Sequence, residues 1–236
     1  MQELLENAIK LQETARSFRK KGDALRKAGR DEAGTEAYRS GLAVLNEALG
    51  LLEAKDEMLR AASPQLPDNA APYLRELIEI YGALGGMHQR LGAMDKSLAS
   101  YEAGARLEER FGQTSTYNRL NAVKYSLLTG PDQLRSLEPR IQILADFIDA
   151  SLRADKSLSD RGWAWADLGD CLALLGRTEE AGRAYATFIS KAEIKSPDRT
   201  LDVLKEIAAK LRSKGDPDAP RVVTAIDALQ SRLFAR

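Results

Sequence analysis

The side chains that could do chemistry in this chain are few, and they favour binding over catalysis. The sequence contains one cysteine, Cys171, and one histidine, His88. A catalytic nucleophile needs an adjacent base, and the neighbours of His88, Met87 and Gln89, offer neither an acid nor a nucleophile. Nor can one cysteine and one histidine build a Cys/His metal site. We therefore expect no enzyme and no cofactor, with His88 and Cys171 filling packing positions; an enzyme acting through either residue is the alternative.

Three aspartates and a tryptophan recur at helical spacing in the second half of the chain. Asp160, Trp163, Asp167 and Asp170 follow one another at intervals of three and four residues, which places them on one face of a helix. Such a face can hold a basic partner segment, with the Trp163 ring stacked on an arginine guanidinium. The alternative is a solvated face with a partly buried tryptophan. A metal site is not expected, because a rise of about 1.5 Å per residue spreads the carboxylates too far apart.

A basic face lies near the start of the chain. Arg16, Arg19 and Lys20 fall within the first stretch of helical periodicity. This face suits acidic or phosphate-bearing partners. The alternative is a solvated face that pairs with acidic residues of the next helix, such as Asp31 and Glu32. If both faces bind, a groove running from basic to acidic would orient a bound peptide.

Composition excludes several classes of protein. The 236 residues include 35 basic and 35 acidic side chains, so a nucleic-acid-binding protein with a strong basic footprint is not expected. No apolar run approaches the roughly 18 residues of a membrane span, and the first ten residues do not resemble a secretory signal. We expect a cytoplasmic protein that binds neither nucleic acid nor membrane.

Hydrophobic periodicity predicts the helices that would position these side chains. Apolar residues recur every three or four positions over 1–28 and again over 31–60, which predicts two long helices. The stretch 62–72 contains three prolines and predicts a linker. Two further helical pairs are expected over 72–111 and 114–153, within an all-α chain of about ten helices.

Two prolines mark expected helix starts in the second half of the chain. One helix is predicted from about Glu138 to Leu152, with Pro139 in its first turn. Another is expected to follow Ser196 and Pro197, because serine can cap a helix and proline fits its first position.

The most informative stretch reads WADLGDCLALLGRTEEAGRAY and covers residues 165–185. Trp165, Leu168 and Leu172 share one face of a first helix. Gly169 allows a second helix to approach closely. Gly176 is expected to end the first helix, because glycine accepts the left-handed conformation at little cost. Tyr185 closes the hairpin from the second helix. This stretch therefore predicts two closely packed antiparallel helices.

This spacing resembles the tetratricopeptide repeat, W-x2-L-G-x2-Y followed by a small residue and an aromatic. The likeness covers roughly residues 12–195. Its best-matching positions are Trp165, Leu168, Gly169, Gly176, Ala181 and Tyr185. A second set in the same order is Tyr81, Leu84, Gly85, Gly92 and Tyr101, and a degenerate set is Phe18, Gly22, Gly29 and Tyr38.

The resemblance implies antiparallel hairpins stacked into a right-handed solenoid. It divides the chain into an elongated hairpin (1–61), repeats (72–195) and capping helices (196–236), expected to form one continuous domain. In tetratricopeptide proteins the first helix of each repeat lines a concave groove that holds the ligand. The resemblance therefore implies that Asn118 and Arg119 join the acidic and basic faces in one groove.

Together these features predict a protein–protein interaction module, an adaptor or regulatory subunit whose groove binds a segment of another protein. The alternative is a self-assembling homo-oligomer built through the N-terminal hairpin and the last helix, which carries Leu233 and Phe234. The two differ in mass and in sensitivity to groove substitutions.

Overall fold

The structure is a computed structural model that describes residues 2–61, 70–112, 115–160, 162–191 and 201–234. All secondary structure in these ranges is helical, which confirms the all-α prediction. The helices of the described residues are α1 (Gln2–Lys27), α2 (Asp31–Ala61), α3 (Ala71–Arg90), α4 (Met94–Arg110), α5 (Tyr117–Thr129), α6 (Leu134–Ala154), α7 (Lys156–Asp160), α8 (Trp163–Leu174), α9 (Thr178–Lys191), α10 (Asp202–Ser213) and α11 (Ala219–Phe234).

One predicted helix start is wrong. Helix α6 begins at Leu134, so Pro139 lies inside the helix and not in its first turn. The earlier start buries the Leu134 side chain and gives its backbone N–H a partner, the Asp216 carboxylate at 2.9 Å. Ser196 and Pro197 lie outside the described residues, as does most of the predicted linker.

The chain divides into two compact units, residues 1–122 and 123–236, and the division falls within α5. In the first unit, α1 pairs with α2 and α3 pairs with α4, while α2 and α1 pack against α3. Its core is built from small residues of α1 and large apolar residues of α2 and α3. The predicted single domain with three segments stays a prediction.

In the second unit, α8 pairs with α9 and α10 pairs with α11. Helix α6 packs on α8, and α11 packs on both α8 and α9. Helix α6 carries apolar residues at intervals of three and four positions, and three of them, Ile141, Leu144 and Ile148, are buried.

Three of the hairpins share one packing device. In each, the space beside a glycine of the first helix is filled by a tyrosine ring sixteen residues further on: Gly22 with Tyr38, Gly85 with Tyr101, and Gly169 with Tyr185. A Cβ atom added at these glycines would lie 2.4, 2.6 and 2.9 Å from the tyrosine ring. The glycines therefore make room for a ring and not, as predicted for Gly169, for a second backbone.

The same three hairpins also turn in the same way. Seven residues after each packing glycine stands another glycine with a left-handed backbone, at φ values of 72°, 73° and 74°. In the third hairpin this residue is Gly176, and the next N–H, of Arg177, bonds back to the Leu172 carbonyl at 2.8 Å. The prediction that Gly176 ends its helix is confirmed.

The turn between α10 and α11 holds the ends of two other helices. The Lys214 ammonium donates to the carbonyls of Leu127 and Gly130, at 2.8 and 2.5 Å, where α5 ends. Two residues later, the buried Asp216 carboxylate accepts the N–H of Leu134, where α6 begins. Each charge has the sign that favours its helix end.

Candidate partner-binding surfaces

Helix α8 has two faces of different character. It starts after Gly162, whose φ of 78° redirects the chain out of the short helix α7. Trp165, Leu168 and Leu172 lie on one face, and the two leucines are buried. Trp163 and Asp167 lie on the other side, which their spacing predicted to face a groove.

Trp163 is the most exposed aromatic side chain of the described residues, at 65%. Its ring packs on that of Phe188 in α9, with ring centroids 5.1 Å apart. Asp160 is exposed at the end of α7, and its carboxylate binds Lys191 at 3.0 Å. Asp167 is half-buried, one helical turn beyond Trp163. These five residues, Asp160, Trp163, Asp167, Phe188 and Lys191, are called the Trp163 surface below.

Asp170 does not lie on this surface, although the spacing placed it there. Its side chain is buried, and its carboxylate accepts hydrogen bonds from the Lys124 ammonium of α5 and the Tyr185 hydroxyl of α9. Burial lowers the pKa of Lys124, but the Asp170 carboxylate outweighs burial and leaves that pKa raised. Burial, reinforced by Asp170, raises the pKa of the Tyr185 hydroxyl well above its usual value.

This network consists of an ion pair between Lys124 and Asp170 and a neutral Tyr185 hydroxyl. The Asp170 carboxylate accepts hydrogen bonds from both of the other groups. The network joins α5, α8 and α9 at a point just behind Asp167. Since a buried network of this kind has one low-energy arrangement, it fixes the position of the Trp163 surface. Asp170 therefore supports the surface from inside and is not available to a partner.

The groove residues predicted in the first unit also divide into exposed and buried side chains. Arg16 and Lys20 are exposed and Arg19 is half-buried, as a basic surface requires. Asn118 and Arg119 are buried, so the expectation that they line an open groove is wrong.

The reason is a carboxylate that sequence reasoning missed. Glu108 of α4 is fully buried and accepts the backbone N–H groups of Asn118 and Arg119, at 3.2 and 3.1 Å. It also accepts the Asn118 side-chain amide at 3.0 Å. Burial, the largest influence, raises the pKa of Glu108, and these hydrogen bonds oppose it. Glu108 thus caps the start of α5, and the two residues are held in the interior by it.

A cavity of about 380 Å³ opens on the other face of α8. Its floor contains Trp165, Leu168 and Leu172, and its walls are formed by α6 and α9. The spacing of these three residues predicted a packing face, but not that two flanking helices would leave part of it uncovered. This cavity and its walls are called the α6–α9 groove below.

The two residues considered for chemistry occupy packing positions. Cys171 is fully buried, and burial raises the pKa of its thiol, which keeps it protonated and unreactive. His88 is half-buried, and burial, together with Lys96, lowers its pKa. Over the described ranges, no group of three or more acidic, histidine or cysteine side chains could hold a metal ion. None of the described helices is long and apolar enough to cross a membrane.

The chain shows no match to a protein-family model and no match to a curated protein.

Proposed function

We propose that this chain is a protein-interaction module that holds an arginine-bearing segment of a partner protein on the Trp163 surface. The observation that carries the proposal is a tryptophan ring, 65% exposed, beside two acidic side chains. Tryptophan is among the residues that contribute most to binding energy at interfaces, and its face attracts a guanidinium group. Asp160 and Asp167 carry charge of the sign that an arginine requires, and Lys191, which pairs with Asp160, offsets one of the two charges.

The interior behind this surface supports the same proposal. A binding site gains affinity when its parts are already in place before the partner arrives. The Lys124–Asp170–Tyr185 network fixes α8 against α5 and α9, and Phe188 holds the Trp163 ring from one side. The surface offers a partner one face of the ring and two carboxylates at little cost in ordering.

We also propose that the hairpins form a tetratricopeptide-like solenoid. The support is the repeated glycine and tyrosine pair, sixteen residues apart, in three hairpins of similar turn geometry. In such an array a first-helix face, here that of α8, is the part that meets a partner.

The test is isothermal calorimetry with two short acetylated peptides. One carries two arginines, and the other carries citrulline at both positions, which keeps the shape and removes the charge. We expect the arginine peptide to bind at least fivefold more tightly than the citrulline peptide. Trp163→Ala should weaken that binding, and so should the pair Asp160→Asn with Asp167→Asn.

Ile143→Ala is the matched control, because Ile143 is similarly exposed (68%) and lies in the same unit. It should bind like wild type. Equal binding of the two peptides, or unchanged binding by Trp163→Ala, would overturn the proposal.

Self-assembly is a second candidate function, and one observation favours it. Leu4 and Ile9 of α1 expose apolar side chains on the N-terminal hairpin, whereas the side chains of Leu233 and Phe234 lie outside the described residues. Light scattering would show a multiple of the 25.9 kDa chain mass that falls to one chain in Leu4→Glu with Ile9→Glu. A single-chain mass for wild type excludes this candidate.

A further inference from the structure

The α6–α9 groove has an apolar floor between two charged walls. The floor is half-buried Trp165 with buried Leu168 and Leu172. The wall on α6 carries Asp146, Asp149 and Arg153. The opposite wall, called the α9 wall, carries Arg177, which immediately precedes α9, and Glu180 and Arg183 of α9. None of these residues belongs to the Trp163 surface, which lies on the other side of α8.

Most of the wall charges are paired with a charge on the same wall. Asp149 pairs with Arg153 on α6, and Arg177 binds Glu180 on α9 at 2.7 Å. In the described part of the chain, Asp146 and Arg183 form no ion pair within 4.0 Å. Asp146 accepts a hydrogen bond from Gln142 of its own helix and attracts Arg177 across the groove, and Arg183 attracts Glu180. The groove therefore keeps one net acidic position on the α6 wall and one net basic position on the α9 wall.

The dimensions suit a helix. Between Asp146 and Arg153 the α6 wall rises about 10 Å, and the α9 wall from Thr178 to Thr187 rises about 14 Å, at about 1.5 Å per residue. This is two to three helical turns. An amphipathic helix that lays its apolar stripe into such a groove is a recurrent mode of peptide recognition.

We propose that the α6–α9 groove binds an amphipathic α-helix of a partner protein, with basic residues along one edge and acidic residues along the other. Its apolar stripe packs mainly on Trp165, because Leu168 and Leu172 are only 6% and 4% exposed. Its basic edge faces Asp146, and its acidic edge faces Arg183. The opposite signs of the walls fix the direction in which the helix lies.

The charge pattern predicts how binding changes when the charges at Asp146 and Arg183 are reversed singly or together. When only Asp146→Lys is made, both walls are basic at these positions, and a helix with edges of opposite sign meets repulsion in either direction. The same holds for Arg183→Glu, which makes both positions acidic. When both are made, the walls have exchanged sign, and the same helix fits again after turning end to end.

The probe is a synthetic helical peptide of about 18 residues, with leucines at helical spacing, lysines on one edge and glutamates on the other. The protein carries Trp163→Phe, so that Trp165 in the groove floor is the only tryptophan and its fluorescence reports binding. We expect saturable binding that weakens about three- to tenfold in Asp146→Lys and in Arg183→Glu. The double variant should return to within about twofold of the starting protein.

Two controls complete the design. A peptide with lysines on both edges should bind less tightly than the mixed peptide to the starting protein. Ile143→Ala, on α6 but outside the groove lining, should change nothing. Circular dichroism and melting temperature confirm that each variant is folded.

Unchanged affinity in both single variants overturns the proposal, and so does a double variant that is weaker than either single one. Absence of a saturable Trp165 signal with the mixed peptide also overturns it. The groove peptide differs from the arginine peptide, and the two charge substitutions, Asp146→Lys and Arg183→Glu, lie outside the Trp163 surface. Trp163→Phe is present in every protein that they are compared with, so either proposal can fail while the other stands.

Discussion

Two polar networks, one in each unit, are built on the same sequence spacing and sit in different surroundings. In the first unit, Asp23 follows the packing glycine of α1 and accepts the hydroxyl of Tyr38 at 2.8 Å and the Arg90 guanidinium at 2.9 Å. In the second unit, Asp170 follows the packing glycine of α8 and accepts Tyr185 and Lys124. In both, the tyrosine comes from the partner helix of the hairpin, and the cation from a helix outside it.

Burial separates the two networks. The side chains of Asp23 and Arg90 are 46% and 30% exposed, whereas those of Asp170 and Lys124 are 12% and 8% exposed. An ion pair in water contributes little to stability, but a buried charge that loses its partner is costly. The same spacing therefore gives a network that contributes little to stability in the first unit and one that the fold requires in the second.

The largest expected effect is on the buried network. Asp170→Ala removes the hydrogen-bonded partner of the buried Lys124 ammonium and leaves it only the charge of Asp167. We expect the free energy of unfolding to fall by about 3–5 kcal/mol in urea titrations at pH 7. Asp167→Ala, three residues earlier and half-buried, is the control and should cost about 1 kcal/mol or less. Adding Lys124→Met to Asp170→Ala should recover part of the loss. If Asp170→Ala costs no more than Asp167→Ala, the network does not hold α8.

Within the described residues, the Glu76 carboxyl is buried without an ion-pair partner, so its negative charge should lower stability, whereas that of Asp170 raises it. Glu76 of α3 is buried, and its Oε1 has no hydrogen-bond partner among the described residues. Burial raises the pKa of Glu76 to about 7; Glu79 and Glu13 add to the rise, and Arg16 opposes it.

Because this pKa is higher in the folded state than the ordinary 4.5, stability is fully present below pH 4.5 and is lost as the pH rises through 7. Glu76→Gln should remove that pH dependence and raise the free energy of unfolding at pH 8, by at most about 3 kcal/mol. Urea titrations between pH 4.5 and 8 measure both effects. Equal slopes with pH in wild type and Glu76→Gln would show that Glu76 ionises normally.

The α3–α4 hairpin has the glycine–tyrosine packing but lacks the aspartate of the polar network, so it allows the packing to be tested alone. It keeps the glycine and tyrosine pair, Gly85 and Tyr101, but Gly86 stands where the other two hairpins have aspartate. Gly85→Ala would place a Cβ 2.6 Å from the Tyr101 ring, and we expect a loss of about 1–3 kcal/mol by thermal or urea unfolding. The matched control is Gly50→Ala in α2, which meets nothing within 4 Å and should gain up to about 1 kcal/mol. A stabilised Gly85→Ala would contradict the packing described here.

The smallest effect is expected at the exposed network. Asp23→Ala should cost less than about 1 kcal/mol at pH 7, and the loss should shrink further in high salt. Burial raises the pKa of Asp23, but hydrogen bonds from Arg90 and Tyr38 outweigh it and leave the pKa lowered. The contribution is therefore present above pH 3.8 and disappears as the pH falls through the lower folded-state pKa. A cost comparable with that of Asp170→Ala would remove the distinction between the two units.

Local sequence patterns correctly predicted the features that are determined within one helix or one hairpin. The two long first helices, the burial of Cys171, and the helix end at Gly176 follow from periodicity, small size and left-handed glycine, and the structure confirms them. The exposure of Trp163 is also consistent with the face on which spacing placed it.

The predictions that were wrong concern side chains whose burial depends on a third helix. Spacing places Asp170 at an angle around α8, but cannot show that Lys124, 46 residues earlier, arrives on that side and buries it. Asn118 is buried for the same reason, because its side-chain amide donates both to Glu108 of α4 and to the Ile78 carbonyl of α3. The α6–α9 groove exists because two helices stand apart over Trp165, and no pattern within either helix reports that separation.

The turn at Lys214 and Asp216 has a consequence for the order of folding. It binds chain segments that lie more than eighty residues earlier, so the ends of α5 and α6 stay without these charge partners until the rest of the second unit has been synthesised. Contacts between distant residues form late and slow folding. On the ribosome, the first unit can complete its core while the second is still emerging, and the second should then fold in one concerted step and not hairpin by hairpin.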